Sequence, residues 1–234
     1  MLPVAILAGG IATRLRPITE SIPKSLVEVA GRPFVELQLE WLRKEGVTRV
    51  VLCVGHLGES IEKVVREGGR FNLKVAYSYD GDKLLGTGGA LRRALPLLGE
   101  AFFVLYGDSF LTCRFASVEA AFLAAGKPAL MTVFENEGRW DRSNVIFHEG
   151  KIVLHDKKNL SSEMRHIDYG LGVLTPTALG RYPEGQPLDL STVYADLLNR
   201  GELAGFEIRE RFYEIGSING LKETEEFFRR SAFS

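Results

Sequence analysis

Cysteine is nearly absent from this chain: Cys53 and Cys113 stand far apart and match no metal-ligand spacing. That excludes a disulfide framework and a cysteine-ligated zinc module, and Cys53, inside the apolar run Val50 to Val54, reads as a reduced core residue. Histidine is scarce too, with four copies. No apolar run approaches the roughly 20 residues of a membrane span, and Met1-Leu2-Pro3 lacks the charged start of an export signal. A cytoplasmic protein with no membrane partner is expected. Charge of one sign is missing as well: 29 Lys and Arg face 30 Asp and Glu, a net charge of -1, so no global basic field calls for nucleic acid. Neither G-x-x-x-x-G-K-[ST] nor G-x-G-x-x-G occurs. Repeats, low-complexity tracts and Pro/Gly/Ser linkers are also lacking, and 234 residues suit a single domain over 1–234. Monomer or homo-oligomer stays open.

What is present begins near the N-terminus. An apolar run from Leu2 to Leu7 predicts a buried strand, and it stops at Gly9-Gly10. Paired glycines let bare backbone N–H groups approach an anion as no residue with a Cβ does. Thr13, Arg14, Arg16 and Lys24 crowd the same short stretch. Arg14 offers a planar fork for phosphate oxygens and Lys24 a compact point charge. Gly-Gly after a strand is often only a tight turn, but such a turn needs none of these side chains, and their combination points to a polyphosphate.

Strand and helix patterns then alternate. Phe34, Leu37, Trp41 and Leu42 mark one face of a helix closed by Gly46, and Arg49 to Val54 a strand. A helix through Ile61, Val64 and Val65, stopped by Gly68-Gly69, precedes a strand from Leu73 to Tyr79. A helix from Ala90, a strand from Phe102 to Tyr106, a helix over 115–125 and a strand from Ala129 to Phe134 follow. Such alternation predicts a parallel sheet covered on both faces, with ligands beyond the carboxyl ends of its strands. The loops at 8–16, 80–89 and 107–109 then share one edge. Later, Val145 to His148 and Lys151 to Asp156 flank Glu149-Gly150 as a hairpin, Ile167 to Leu174 is a strand, and helices lie near 189–200 and 218–230. A mixed sheet extended by antiparallel strands results.

Asp108 follows an apolar strand and a glycine on that ligand edge, which suits a Mg²⁺ ligand or, equally, a cap of the next turn. The string Gly9-Gly10-x-x-Thr13-Arg14-Leu15-x-Pro17, with Pro23-Lys24-x-Leu26-x-x-Val29-x-Gly31-x-Pro33, resembles the signature of sugar-1-phosphate nucleotidylyltransferases. These enzymes join a nucleoside triphosphate to a sugar 1-phosphate and release pyrophosphate. The likeness continues through Leu85-Gly86-Thr87-Gly88-Gly89, Gly107-Asp108 and Gly216-Ser217, so it spans nearly the whole chain. It is similar to the short bacterial kind, such as heptose-1-phosphate guanylyltransferases and muramate-1-phosphate uridylyltransferases.

The resemblance implies a Rossmann-like three-layer α/β/α fold with a mixed, mostly parallel central sheet, of the nucleotide-diphospho-sugar transferase type. It implies nucleotide-sugar synthesis for cell-surface polysaccharide, with Mg²⁺ as cofactor. Lys24 would serve the α-phosphate and Arg14 the β- and γ-phosphates, with Leu7, Ala8, Gly9, Gly10, Thr13, Gly86, Thr87 and Gly88 also on the nucleotide. Asp108 would hold the metal with a C-terminal carboxylate, where the family's Asp is replaced here by Glu214. Lys157, in His155-Asp156-Lys157-Lys158 where relatives carry Glu-Lys-Pro, would hold the sugar phosphate, with Asn144, Asp168, Tyr169 and Gly170 beside it. The acceptor phosphate is already ionised near pH 7, its second pKa being about 6, so no catalytic histidine is expected. The Leu85–Gly89 string leans slightly towards GTP with a heptose 1-phosphate, with uridine and an amino sugar or thymidine and glucose left open. Two rivals stand beside this reading. Asp80-Gly81-Asp82 fits the metal motif of a glycosyltransferase, and Glu214 fits a non-catalytic nucleotide-sugar sensor.

Overall fold

The computed structural model describes residues 1–10 and 22–230. Among these, a nine-stranded mixed sheet forms the middle layer. Its parallel part comprises β1 (Val4–Leu7), β4 (Arg49–Val54), β5 (Lys74–Tyr79) and β6 (Phe102–Tyr106), in the order β5-β4-β1-β6. These are near-continuous Val, Ile, Leu and Phe runs, as strands buried on both faces require.

Alternation along β1 sends Val4 and Ile6 to one face and Ala5 to the other. The first face packs on α1 (Phe34–Lys44), α2 (Gly58–Val65) and α4 (Phe115–Ala125), through Leu39, Ile61 and Val118 among others. The second packs on α3 (Gly86–Leu98), α5 (Pro176–Leu179) and α6 (Leu190–Asn199), through Leu91, Leu179 and Val193. Helices thus cover both faces of the expected mixed sheet.

Strand order reverses at β1, with β4 on one side and β6 on the other. At such a switch point the connections leave in opposite directions and a crevice opens beyond the strand ends. Gly9-Gly10 follows β1 and Gly107-Asp108 follows β6, so both loops open into that crevice.

The antiparallel half contains β8 (Ala129–Glu135), β9 (Val145–His148), β10 (Lys151–His155) and β11 (His166–Leu174). Glu149 and Gly150 both take positive φ, 47° and 77°, the requirement of a two-residue hairpin turn. The strand at Ala129 does not extend the parallel run. It pairs antiparallel with β11 and parallel with β12 (Leu203–Ile208), a strand the sequence does not announce. Two short ribbons are equally unannounced: β2 (Glu28–Val29) with β3 (Arg32–Pro33), and β7 (Ser109–Leu111) with β13 (Phe212–Glu214). The helix expected from Ala90 begins at Gly86, because the N–H groups of Gly88 and Gly89 find a partner in Leu188 O. The last helix, α7 (Ile218–Arg230), closes the described chain.

Candidate active site at the sheet switch point

A cleft of about 300 Å³ occupies the crevice, lined by Leu7 to Gly10, Lys24, Asp80, Gly86, Thr87 and Tyr106 to Asp108 among others. The strand ends are pinched tightly here. Gly107 N donates to Leu7 O at 3.0 Å, and a Cβ on Gly107 would lie 2.6 Å from that oxygen. Only glycine allows β6 to leave the sheet at this point. Thr13 and Arg14 lie outside the described residues.

Lys24 opens a single 3-10 turn, Lys24–Leu26, behind Pro23. What aims it is apolar packing just beyond: Val27 and Val29 join Phe34, Phe110, Ile215 and Phe228 in a third buried cluster. Phe110 and Ile215 belong to the ribbon segment that carries Asp108, so one cluster fixes both charged groups. Lys24 Nζ lies 2.6 Å from Asp108 Oδ2, with the side chains 17% and 31% exposed. Ser109 Oγ donates to Asp108 Oδ1 at 3.2 Å.

The β7–β13 ribbon also answers where Glu214 goes. Glu214 pairs with Ser109, and Ile215 N donates to Asp108 O at 2.9 Å, so both carboxylate residues sit at one end of the ribbon. The Glu214 carboxylate accepts from Gly216 N and, at 2.6 Å, from Ser217 Oγ, at the start of α7. A Cβ on Gly220 would collide with Glu214 Oε1, so α7 is shaped around this longer side chain. Among the described residues no cluster of three or more His, Cys, Asp or Glu occurs. Mg²⁺ does not require one, since it commonly takes one or two carboxylates with substrate phosphates and waters. Asp108 lines the cleft with a carboxylate of that kind, whereas the Glu214 carboxylate turns to Gly216 N and Ser217 Oγ and would have to release one of them to join it.

On the far side of Tyr106 a second charged group gathers. Lys157 Nζ lies 3.1 Å from Asp168 Oδ2, whose side chain is only 5% exposed. Asp168 Oδ1 accepts from Gly170 N at 3.1 Å, and Asp168 N donates to Asn144 Oδ1 at 2.9 Å. Burial opposes ionisation of Asp168, but the Lys157 ammonium outweighs it and holds the carboxyl below its ordinary value. Lys157 is in turn raised: burial acts against its charge and Asp168 more than restores it. Four of the sugar-side residues therefore converge. Tyr169 does not: alternation turns it away, into the first apolar face, between the rings of Phe134 and Phe212. His155, close to Lys157 and Asp168, is buried, its ring against Tyr194, and neither ring nitrogen has a partner among the described residues.

The Leu85–Gly89 stretch has a packing use. A Cβ on Gly86 would meet Leu188 O at 2.8 Å, and one on Gly89 would meet Gln186 O at 2.7 Å. Thr87 Oγ1 accepts from Leu190 N at 2.8 Å, so it caps α6 rather than its own helix. Gly86 and Thr87 still line the cleft, whereas Gly88 is buried against Leu188. Asp80, which the sequence offers only as half of a rival metal motif, belongs to the cleft. It is buried at the cleft wall, and its Oδ2 accepts from Leu85 N at 3.1 Å. Burial pushes its carboxyl up, with the Leu85 N–H and Arg93 pulling back. Asp82 is exposed, so Asp80 and Asp82 face different surroundings.

A nucleotide-diphospho-sugar transferase fold accounts for the sheet order and the placement of this cleft, and solved structures share it. A glucose-1-phosphate thymidylyltransferase so described from Bacillus anthracis superposes with a TM-score of 0.89 at 19% identity, over 100% of this chain and 98% of that one. HddC from Yersinia pseudotuberculosis, complexed with GMP-PN, gives 0.79 at 24% identity, over 97% and 100%. The family model for nucleotidyl transferases matches residues 4–141, and the chain belongs to that family. A UTP–glucose-1-phosphate uridylyltransferase of Synechocystis is 32% identical over 203 residues, 79% of this chain and 52% of that protein. A mannose-1-phosphate guanyltransferase beta-B of Xenopus laevis is 30% identical over 90% of this chain and 60% of its own length. The chain thus spans roughly half to three-fifths of these relatives. An N-acetylmuramate alpha-1-phosphate uridylyltransferase of Neisseria meningitidis is 27% identical over 94% of this chain and 95% of its own.

Proposed function

We propose that this chain transfers a nucleotidyl group from a nucleoside triphosphate to a sugar 1-phosphate, giving a nucleotide sugar and pyrophosphate. The observation that carries the reading is the Lys24–Asp108 pair at the mouth of the switch-point cleft. A cation for phosphate and a carboxylate for a metal stand together where a triphosphate has room. In the reaction one acceptor phosphate oxygen bonds to the α-phosphorus while the α–β bridging P–O bond breaks. Pyrophosphate leaves with that electron pair, and no proton needs to be removed. Bound Mg²⁺, held by Asp108 and Glu214, would neutralise charge on the phosphates. Lys24 supplies a point charge to the α-phosphate, and Lys157 a second one on the sugar side for the acceptor. Arg14 completes the set on the leaving pyrophosphate.

Asp80 supports guanine as the base. Guanine offers N1–H and N2–H₂ side by side, donors that a buried carboxylate accepts. Uracil and thymine offer a single N3–H flanked by two carbonyl oxygens, which the same carboxylate repels. Three strand spacings of about 4.8 Å separate β5, where Asp80 follows, from β6, where Asp108 follows. A span of that order suits a nucleotide with its base end at Asp80 and its α-phosphate at Lys24, which supports the reading. With the Leu85–Gly89 string, the pairing we carry forward is GTP with a heptose 1-phosphate. A panel of GTP, UTP and dTTP crossed with heptose, mannose, glucose and N-acetylmuramate 1-phosphates, with Mg²⁺, tests this through released pyrophosphate. Sugar-dependent release with GTP is expected. Release with no combination overturns nucleotidyl transfer; a preference for UTP or dTTP overturns only the base.

A further inference from the structure

Tyr106 ends β6 one residue before Gly107-Asp108, and it belongs to both halves of the site. The residue lines the cleft. Its hydroxyl reaches the Lys157–Asp168 pair. Tyr106 OH donates to Asp168 Oδ2 at 3.3 Å and accepts from Lys157 Nζ at 3.3 Å, closing a triangle with the 3.1 Å Lys157–Asp168 contact. The ammonium also lies 5.2 Å from the centre of the Tyr106 ring.

The ring itself has little freedom. Gly170 takes φ +95°, and a Cβ there would come within 3.3 Å of Tyr106 Cδ2 and 3.6 Å of Ser109 Oγ. A bare Cα is what lets the ring lie flat against β11. From the opposite side Gln38 Nε2 donates to Tyr106 O at 3.2 Å and to Ser109 O at 2.8 Å, clamping the backbone across the Gly107-Asp108 turn.

Counting donors shows the consequence. A lysine ammonium has three N–H groups. One meets Asp168 and one meets Tyr106 OH, which leaves a single N–H in a fixed direction on the half-exposed end. Without the phenol the ammonium swivels about one ion pair, and a long flexible side chain fixes no acceptor. We infer that Tyr106 is a positioning residue for the acceptor: its hydroxyl aims the free N–H of Lys157 at the sugar phosphate, while the residue also lines the cleft where the two substrates meet. The inference rests on the nucleotidyl-transfer reading above. It adds a residue that neither half of the site would suggest alone.

Tyr106→Phe tests this, because the ring and the cleft wall remain. With wild-type pyrophosphate release established, KM for the sugar 1-phosphate rises on the order of tenfold, the scale of one hydrogen bond to a charged group, while KM for the triphosphate stays within about twofold. Tyr106→Leu, which also removes the wall, raises both. In a Lys157→Gln background, Tyr106→Phe adds no further rise in the acceptor KM, since its effect passes through that ammonium. Three results overturn the inference alone: unchanged acceptor KM in Tyr106→Phe, an equal rise in both KM values, or additive effects in the double variant. A wild-type protein that releases pyrophosphate with no acceptor sinks both the inference and the reading beneath it. Circular dichroism spectra and melting curves that match the wild type confine the effect to binding.

Discussion

Lys24 and Asp108 are 2.6 Å apart and only partly exposed, yet neither is buried enough for the pair to hold the fold together. Their worth is in the field they set at the cleft mouth. Removing one donor or anchor that faces developing charge typically costs 10²–10³ in rate. Lys24→Ala and Asp108→Ala are each expected to lower kcat by about that factor, with melting temperatures within a few degrees of wild type. Steady-state kinetics and a thermal melt check both halves of this. Turnover near wild type in either variant removes that residue from the reaction. Lys24→Arg is no substitute, because a planar fork does not reproduce a compact point charge between phosphates. At the base end, Asp80→Asn keeps the Leu85 N–H bond through its side-chain oxygen but trades a carboxylate for a mixed donor and acceptor. The expected outcome is a GTP over UTP preference, in kcat/KM, reduced by about tenfold or more.

At the scale of elements, α7 makes the sharpest demand on the sequence. Its first turn wraps the Glu214 carboxylate, held by Gly216 N and Ser217 Oγ, and Thr224 Oγ1 donates to Glu214 O at 2.9 Å. Gly220 sits in that turn with no room for a Cβ. Glycine to alanine inside a helix ordinarily stabilises by about 1 kcal/mol. Gly220→Ala should do the reverse and destabilise by about 1–3 kcal/mol, as overpacking does, while raising the Mg²⁺ concentration needed for half-maximal rate. A urea unfolding curve and a metal titration read the two effects; a stabilised variant with an unchanged titration contradicts this account of α7. Local patterns made much of the fold legible. Arg49–Val54, Phe102–Tyr106 and 115–125 are runs whose composition alone dictates strand or helix, and they appear as expected. The β7–β13 ribbon was not legible: three residues pair with three others about a hundred positions later, too short for any period to register. Nor was the partner of the Leu85–Gly89 glycines, which are small because the 186–189 segment packs on them. The site followed the same division. Lys24, Asp108 and Lys157 stand in recognisable strings, whereas Tyr106 and Asp80 acquire meaning only once β5, β6 and β11 are laid side by side.

Across the whole molecule, the sheet carries a buried face on each side, and the Lys157–Asp168 group lies at the rim of the second, where His155 packs on Tyr194. His155 is the titratable member of that rim. Burial lowers its pKa; the nearby Asp168 carboxylate raises it and Lys157 lowers it again, with the net shift downward. A base with a depressed folded pKa stays neutral while the unfolded chain takes up a proton below about pH 6.5. The unfolded state then binds more protons, so stability falls as pH drops from that value towards the folded pKa. Asp168 acts in a lower window. Its folded pKa is depressed, so its contribution is complete above about pH 3.9 and is lost as pH falls through the folded value. Asp156, brought down to about 2 by the backbone and side-chain bonds from Asn159, adds to the same acid limb. The melting temperature should therefore be flat from pH 8 to 7, decline as pH drops below about 6.5, and decline further below about 4. His155→Phe separates the two windows. It keeps a ring against Tyr194, removes two buried nitrogens that have no partner among the described residues, and removes the titration. Melting curves on the variant should lose most of the decline that begins below about pH 6.5 and keep the one below about 4. An undiminished upper decline would assign that window to another group and leave His155 as packing alone.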